Sequence, residues 1–175
     1  MTRKLLSGLV AVCLLVVAGT ALAWDAAAEK NAEAAIAEFK RADPSIDAFF
    51  KNAHGYAIFP EITKGAVGIG GAGGDGVVYE QGAAVGTSSM SQVTIGLQLG
   101  GQSYSEIIFF EDQKTLKDFE EGNFEFAAQA SAVALKSGAS SNAKYANGVA
   151  VFTVAKGGLM FEASLGGQKF SYKAY

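Results

Sequence analysis

The fold is decided by residues 56–110, which read YAIFP at 56–60, KGAVGIGGAGGDGVVYEQGAAVG at 64–86 and SQVTIGLQLGGQSYSEIIFF at 91–110. Short apolar runs are cut at close intervals by glycine. Within 92–99, Val93, Ile95, Leu97 and Leu99 alternate with Gln92, Thr94, Gly96 and Gln98, the period-two pattern of a half-buried strand. Gly100, Gly101 and Gln102 supply the freedom a tight reversal needs, and 103–110 resumes as a β-prone run, so the pair predicts a hairpin. A second hairpin is predicted upstream, from Val67 and Ile69 through a tip at Gly73, Gly74, Asp75 and Gly76 to Val77, Val78 and Tyr79. Glycine inside strands weakens a flat sheet and marks bends, bulges or close backbone approach. The expected architecture is α+β: a mainly antiparallel, strongly coiled β-sheet or barrel, with N-terminal helices and one short helix after the central hairpin.

Half of the 175 residues are hydrophobic and 18% are charged, a composition that argues against disorder and gives one domain a substantial core. Arg3 and Lys4 precede an apolar run at 5–18, and Ala21-Leu22-Ala23 has a small-x-small pattern. Residues 1–23 are therefore expected to be a signal peptide cleaved after Ala23, with export to the periplasm or cell envelope. The remainder, 24–175, is expected to be a single domain, helical at 24–54 and β-rich at 55–175. Cys13 lies inside the apolar run and raises a lipoprotein signal as the rival; Val12 argues against it, because the residue before a lipidated cysteine is normally small. Retention of the segment as a membrane anchor also stays open. Cleavage removes the one cysteine, excluding disulfide and thiol chemistry, and leaves a charge two units more negative than the −3 of the whole chain. A nucleic-acid partner, which needs a basic face, is not expected.

Ala28, Ala32, Ile36 and Phe39 fall at helical spacing and predict an amphipathic helix with a thin apolar stripe. Asp43-Pro44 predicts a stop and restart, the aspartate capping and the proline taking the first position of the next helix. Ile46, Phe49 and Phe50 form one face of that second helix, with Gly55 as its terminator. These helices are expected to lie across the sheet or plug one end of it. Downstream, Asp112 caps a short helix with Leu116 and Phe119 inward and Gly122 at its end. Residues 124–137 are read as a strand, 138–147 as a polar loop and 148–175 as a three-stranded meander.

The chemical motifs are weak. Gly68-x-Gly70-x-x-Gly73 matches a dinucleotide fingerprint in letters, but a strand and no helix follows it. His54 is the single histidine; beside Gly55 it is expected to interact with the exposed carbonyls of a helix end. Ser141-x-x-Lys144 has serine–lysine spacing without companion motifs. Glu111, Asp112, Asp118, Glu120 and Glu121 read as a solvated face and not as a cation loop. Lys30, Lys40, Arg41, Lys51 and Lys64 all fall in the N-terminal helices and the entry to the first strand. Ordinary surface charge accounts for them, and the functional alternative is an anionic headgroup patch beside Ile36 and Phe39.

The run Ile58-Phe59-Pro60, Lys64-Gly65, Gly68-Ile69-Gly70-Gly71 and Gly74-Asp75-Gly76-Val77 resembles the SYLF domain family. The likeness continues through Gly96-Leu97-Gln98-Leu99-Gly100, Phe109-Phe110, Ala130-Ser131 and Lys156-Gly157-Gly158-Leu159-Met160, from about Ala48 onward. The resemblance implies a non-enzymatic lipid-binding domain, also described as actin-binding in fungal and animal members. An export signal and the lack of SH3 or FYVE partner domains argue against actin and phosphoinositides, and make bacterial exported members the nearer analogy. The reading is binding of an anionic phospholipid or membrane surface, with no catalysis and no cofactor or metal. The set Lys30, Ile36, Phe39, Lys40, Arg41, Lys51 and Lys64 is its candidate site. The alternative is an assembly module that binds another envelope protein.

Overall fold

The computed structural model describes residues 10–67, 69–95, 100–128, 130–157 and 163–175. Helix α1 (Val10–Ala42) is followed by a 3-10 turn, Pro44–Ile46, and α2 (Asp47–Asn52). Four long strands come next: β1 (Gly55–Val67), β2 (Ile69–Glu80), β3 (Ala83–Ile95) and β4 (Gly100–Phe110). Then follow α3 (Gln113–Glu120), β5 (Ser131–Ala134), a 3-10 turn Ser140–Asn142, β6 (Val149–Lys156), β7 (Ala163–Ser164) and β8 (Gln168–Ala174). The strands form one sheet in the order β7-β5-β6-β4-β1-β2-β3-β8.

The α+β class holds, but the sheet is mixed and does not close. Strand β5 runs parallel to β6, Val133 opposite Phe152 and Ala134 opposite Thr153, while the other ladders are antiparallel. The order ends at β7 and β8 without a ladder between them among the described residues, which corrects the expectation of a mainly antiparallel barrel. The sheet nevertheless curls strongly. Strands β4 and β8 are separated by β1, β2 and β3, so in a flat sheet they would lie roughly 19 Å apart. Instead the Gln168 amide donates to Glu106 Oε2 at 3.1 Å. The seam between the edges is stitched by the Gln92 side chain on β3, whose amide donates to the carbonyls of Ser164 at 3.0 Å and Gly166 at 2.8 Å.

The predicted hairpin of 92–99 with 103–110 does not form. Strand β4 pairs with β1 and β6, and β3 pairs with β2 and β8, so the two flank the central β1–β2 pair. Gly100 and Gly101 sit in β4 opposite Ala66 and Gly65; Gly68 and 96–99 lie outside the described residues. The second predicted hairpin does not form either: Ile69, the glycines at 73–76 and Val77, Val78 and Tyr79 all lie in β2, which pairs instead with β1, Val67 opposite Ile69 and Ile58 opposite Val77. Alternation fixes which face a residue takes but not which strand is its neighbour. The glycines answer a different need. Between Ile58 and Thr63 the β1 register slips by one residue against β2, a bulge, and Pro60 sits in it, where a central strand tolerates the loss of an N–H. A Cβ on Gly74 would lie 2.4 Å from the Glu61 carbonyl, and one on Gly76 2.4 Å from the Ile58 carbonyl and 2.7 Å from the Phe59 ring.

The meander is also corrected: β6 pairs with β4 and β5, β7 with β5, and β8 with β3. Its expected turn and second strand fall partly at 158–162, outside the described residues. Of 124–137 only Ser131–Ala134 is strand. Phe124 and Phe126, read as strand residues, instead pack their rings on the inner core, with Phe124 also 6.0 Å from Phe119.

Two cores result. The inner one joins Phe59, Ile62, Val78, Met90, Ile108, Phe110 and Val151 to Leu116 and Phe119 of α3. The outer one packs Ala32, Ala35 and Phe39 of α1 and Ile46 and Phe49 against Ile58, Val77, Ile107, Phe109 and Phe152. Alanines on α1 let the helix approach the sheet closely, and the helices lie on its outer face instead of plugging an end. Both caps form as predicted: Asp112 Oδ1 accepts from the Thr115 amide at 2.8 Å, and Gly122 leaves α3 with φ 74°. Helix α2 ends at Ala53, so Gly55 is not its terminator but opens β1.

Asp43 is more than a cap. Its carboxylate accepts from the Ser45 amide and hydroxyl, the Gly138 amide, and the Ser140 amide and hydroxyl, tying the end of α1 to the loop before β6. Burial opposes its charge, but the donors from Ser45, Ser140 and Gly138 outweigh that and hold the carboxyl well below the ordinary range.

Two predictions follow from this geometry. Gly76→Ala lowers stability by about 1–3 kcal/mol in urea unfolding, whereas Gly65→Ala, where a Cβ meets nothing within 4 Å, leaves it nearly unchanged. Asp43→Ala costs about 2 kcal/mol at pH 7. Because the folded state depresses this pKa, the contribution is present above the ordinary value of 3.8 and is lost as pH falls below it, so the gap between variant and parent narrows in acid.

Candidate functional site

The seven predicted surface residues fall in three places. Around the α1–α2 corner, Lys40 Nζ lies 2.9 Å from Asp47 Oδ1 and 4.7 Å above the centre of the Phe50 ring. Lys51 Nζ lies 3.2 Å from the other Asp47 oxygen. Hydrogen bonds from Lys40 and Lys51 hold the Asp47 carboxyl below its ordinary range, so one carboxylate is shared by two ammonium groups. Arg41 is exposed beside them. Lys30 is exposed three helical turns earlier, about 16 Å along α1. By helical periodicity Lys30 and Arg41 point within roughly 20° of each other, opposite the buried stripe of Ala32, Ala35 and Phe39. Neither has a carboxylate partner among the described residues.

The apolar members divide. Ile36 is half-buried and borders the corner, but Phe39 is wholly buried against the sheet. The stripe that looked amphiphile-facing is spent on the core, because a phenylalanine over two alanines is what the sheet surface takes. Lys64 stands apart on β1 beyond the bulge, opposite Ala72 and Gln102.

The remaining motifs take structural roles. His54 Nε2 and Glu80 Oε1 are 2.8 Å apart, so the imidazole joins the α2–β1 link to the end of β2 instead of serving a helix end. Gly70 and Gly73 lie within β2, between two antiparallel neighbours, which leaves no helix N-terminus for a phosphate. Ser141 and Lys144 line a cleft of about 470 Å³ with Phe49, Asn52, Glu111 and Tyr145, but no hydrogen bond joins them among the described residues. Asp118 pairs with Lys114 at 2.6 Å and Asp112 caps α3. No group of three or more His, Cys, Asp or Glu among the described residues could hold a metal.

One residue escaped the sequence reading. Glu106 lies on the inner face of β4 in phase with Tyr104, Ile108 and Phe110, and is wholly buried. Burial pushes its carboxyl up to about 7, against a hydrogen bond from Gln168 that lowers it. An acid in the apolar phase of a β-run was the signal that could have found it.

A family model described as "Ysc84: Las17-binding protein actin regulator" matches residues 91–174. The chain is 28% identical over 140 residues to "Beta cell expansion factor A" of Aeromonas veronii, a match covering 79% of this chain and 53% of that protein. The chain thus spans about half the length of that curated relative. At family level these domains are binding modules with lipid- or actin-related partners. The resemblance first carried by glycine and apolar motifs is met over residues 91–174, which match the model of the Ysc84, or SYLF, domain family.

Proposed function

We propose that this chain is an exported cell-envelope protein that binds an anionic phospholipid surface through the outer face of α1 and the α1–α2 corner, without catalysing a reaction. The observation that carries this reading is the pair Lys30 and Arg41, directed away from the sheet on one face of α1 with no carboxylate partner among the described residues. Lys40 and Lys51 add one surplus positive charge beside them, since Asp47 offsets only one of the two. Each such cation near an anionic bilayer contributes about 1 kcal/mol. Half-buried Ile36 and Phe50 offer apolar surface at about 25 cal/mol per Å² buried. Export rests on Arg3 and Lys4, the apolar run after them and Ala21-Leu22-Ala23. The SYLF family, a family of binding domains, supports the non-enzymatic reading.

The test is cosedimentation with vesicles of phosphatidylcholine alone and of phosphatidylcholine with phosphatidylglycerol. Binding is expected only to the anionic vesicles and is expected to weaken with salt. Lys30→Glu with Arg41→Glu should weaken it at least tenfold, at about 1 kcal/mol per charge removed. Equal binding by the double variant would remove this face from the account. A mass that rises with protein concentration, with no vesicle binding, would favour the assembly reading.

A further inference from the structure

Glu106 is buried without a counterion among the described residues. Its Oε2 accepts from Gln168 Nε2 at 3.1 Å, while its Oε1 has no hydrogen-bond partner among them. Three neighbours on the same inner face also lack a partner among the described residues: Thr153 Oγ1, directly opposite Glu106 on β6, Gln168 Oε1, and Ser88 Oγ on β3. On β1 the facing residue is Phe59, and on β4 the same-face neighbours are Tyr104 and Ile108. Strand β8 contributes Gln168 and the half-buried Phe170. Beyond Phe59, β2 offers Gly76 and β3 Ser88 and Met90. The titratable groups in reach are few. Tyr104 is held neutral, its hydroxyl pushed far up by burial and by Glu106 itself. Lys64 shares this face of β1 but lies two side-chain rows further along, and makes no ion pair with Glu106. Lys169 on β8 pairs instead with Glu125.

We propose that Glu106 and Gln168 form a proton-controlled latch that fastens the edge strand β8 across the inside of the curled sheet to the central strand β4. The neutral acid can sit in this surround; its carboxylate needs a cation or further donors, and among the described residues no cation pairs with it. Strand β4 is held by ladders on both sides, from β1 and β6, whereas among the described residues β8 has a ladder to β3 alone. Ionisation is therefore relieved by β8 moving. With β8 go Phe170, whose ring packs on Phe59, Phe119 and Phe124, and Tyr172, which packs on the same inner core. Acid tightens the latch and rising pH loosens it.

The sign and window are set by the acid's two environments. Closed, its carboxyl titrates near 7; freed into water it returns to the ordinary 4.5. The opening constant is then flat below about pH 4.5, rises up to tenfold per pH unit to about pH 7, and levels off above, on the order of a hundredfold in all.

The experiment is hydrogen exchange of the full chain from pH 4.5 to 8, corrected for intrinsic exchange, read in peptides covering β8. Protection of β8 should fall by on the order of a hundredfold between pH 5 and 7, and Glu106→Gln should hold it level across that range. Gln168→Met should loosen β8 at low pH yet keep the slope, because the acid remains. A Glu106→Gln profile that falls with pH as the parent's does would overturn the latch, as would parent β8 protection that does not change with pH. If Glu106→Gln fails to fold, the carboxyl carbon of Glu106 in the parent, followed by NMR with labelled glutamate, decides instead. A midpoint near 7 supports the latch, and one below 5 overturns it.

Discussion

A strand four places away in the sheet touches β4 through side chains on the inner face, and the rest of the architecture depends on that curl. Flat, β4 and β8 would be far out of reach; curled, they share a hydrogen bond at 3.1 Å, and Gln92 closes the gap between the sheet's two edges. The curl needs a place to bend. It has one in the β1 bulge around Pro60, where Gly74 and Gly76 let the next strand cross carbonyls that any Cβ would meet. The Ser105 hydroxyl donates to the Pro60 carbonyl at 2.8 Å, satisfying an acceptor the bulge displaces.

Curling divides the labour between two surfaces. The inner face is packed with side chains of the sheet and with Leu116 and Phe119 of α3, beside a cavity of about 250 Å³ bordered by Phe124, Phe126, Val151 and Leu165. The outer face is covered by α1 and α2, whose aromatic residues interlock with the sheet: Phe49 with Phe152 at 4.9 Å and Phe50 with Phe109 at 4.9 Å. The surface proposed for a partner is the outward side of those helices, where charge supplies recognition. That division is why a binding role fits the molecule and why its polar groups take structural duties. Asp43 is consumed by five hydrogen bonds, His54 by Glu80 and Asp112 by Thr115.

Local chemistry was legible in the residues, and pairing was not. Asp43-Pro44 and Asp112 announced their caps because a cap needs only neighbours within a few residues. The alanine and phenylalanine spacing of α1 announced its buried stripe for the same reason. Glycine density announced a bent sheet, yet the bend came from a bulge opposite Gly74 and Gly76 and not from tips. The partners of β3 and β4 are fixed by contacts far apart in sequence, and their apparent hairpin was an accident of adjacency. Of the proposed surface, the cations at Lys30 and Arg41 were readable as charges, but only the fold shows that Phe39 is core and that Lys40 and Lys51 share Asp47. Glu106 was missed because alternation was scored by the apolar residues it contained and not by the acid that interrupted them.

The account stands most directly on the curl, and side-chain and backbone nuclear Overhauser effects in solution measure it. It predicts contacts from the Gln92 side-chain amide to Gly166, from the Gln168 side-chain amide to β4, and backbone contacts of β4 with β1 and β6. Backbone contacts between β3 and β4, with Gln168 remote from β4, would mean that the sheet is ordered differently and that neither the seam nor the sealed inner face exists.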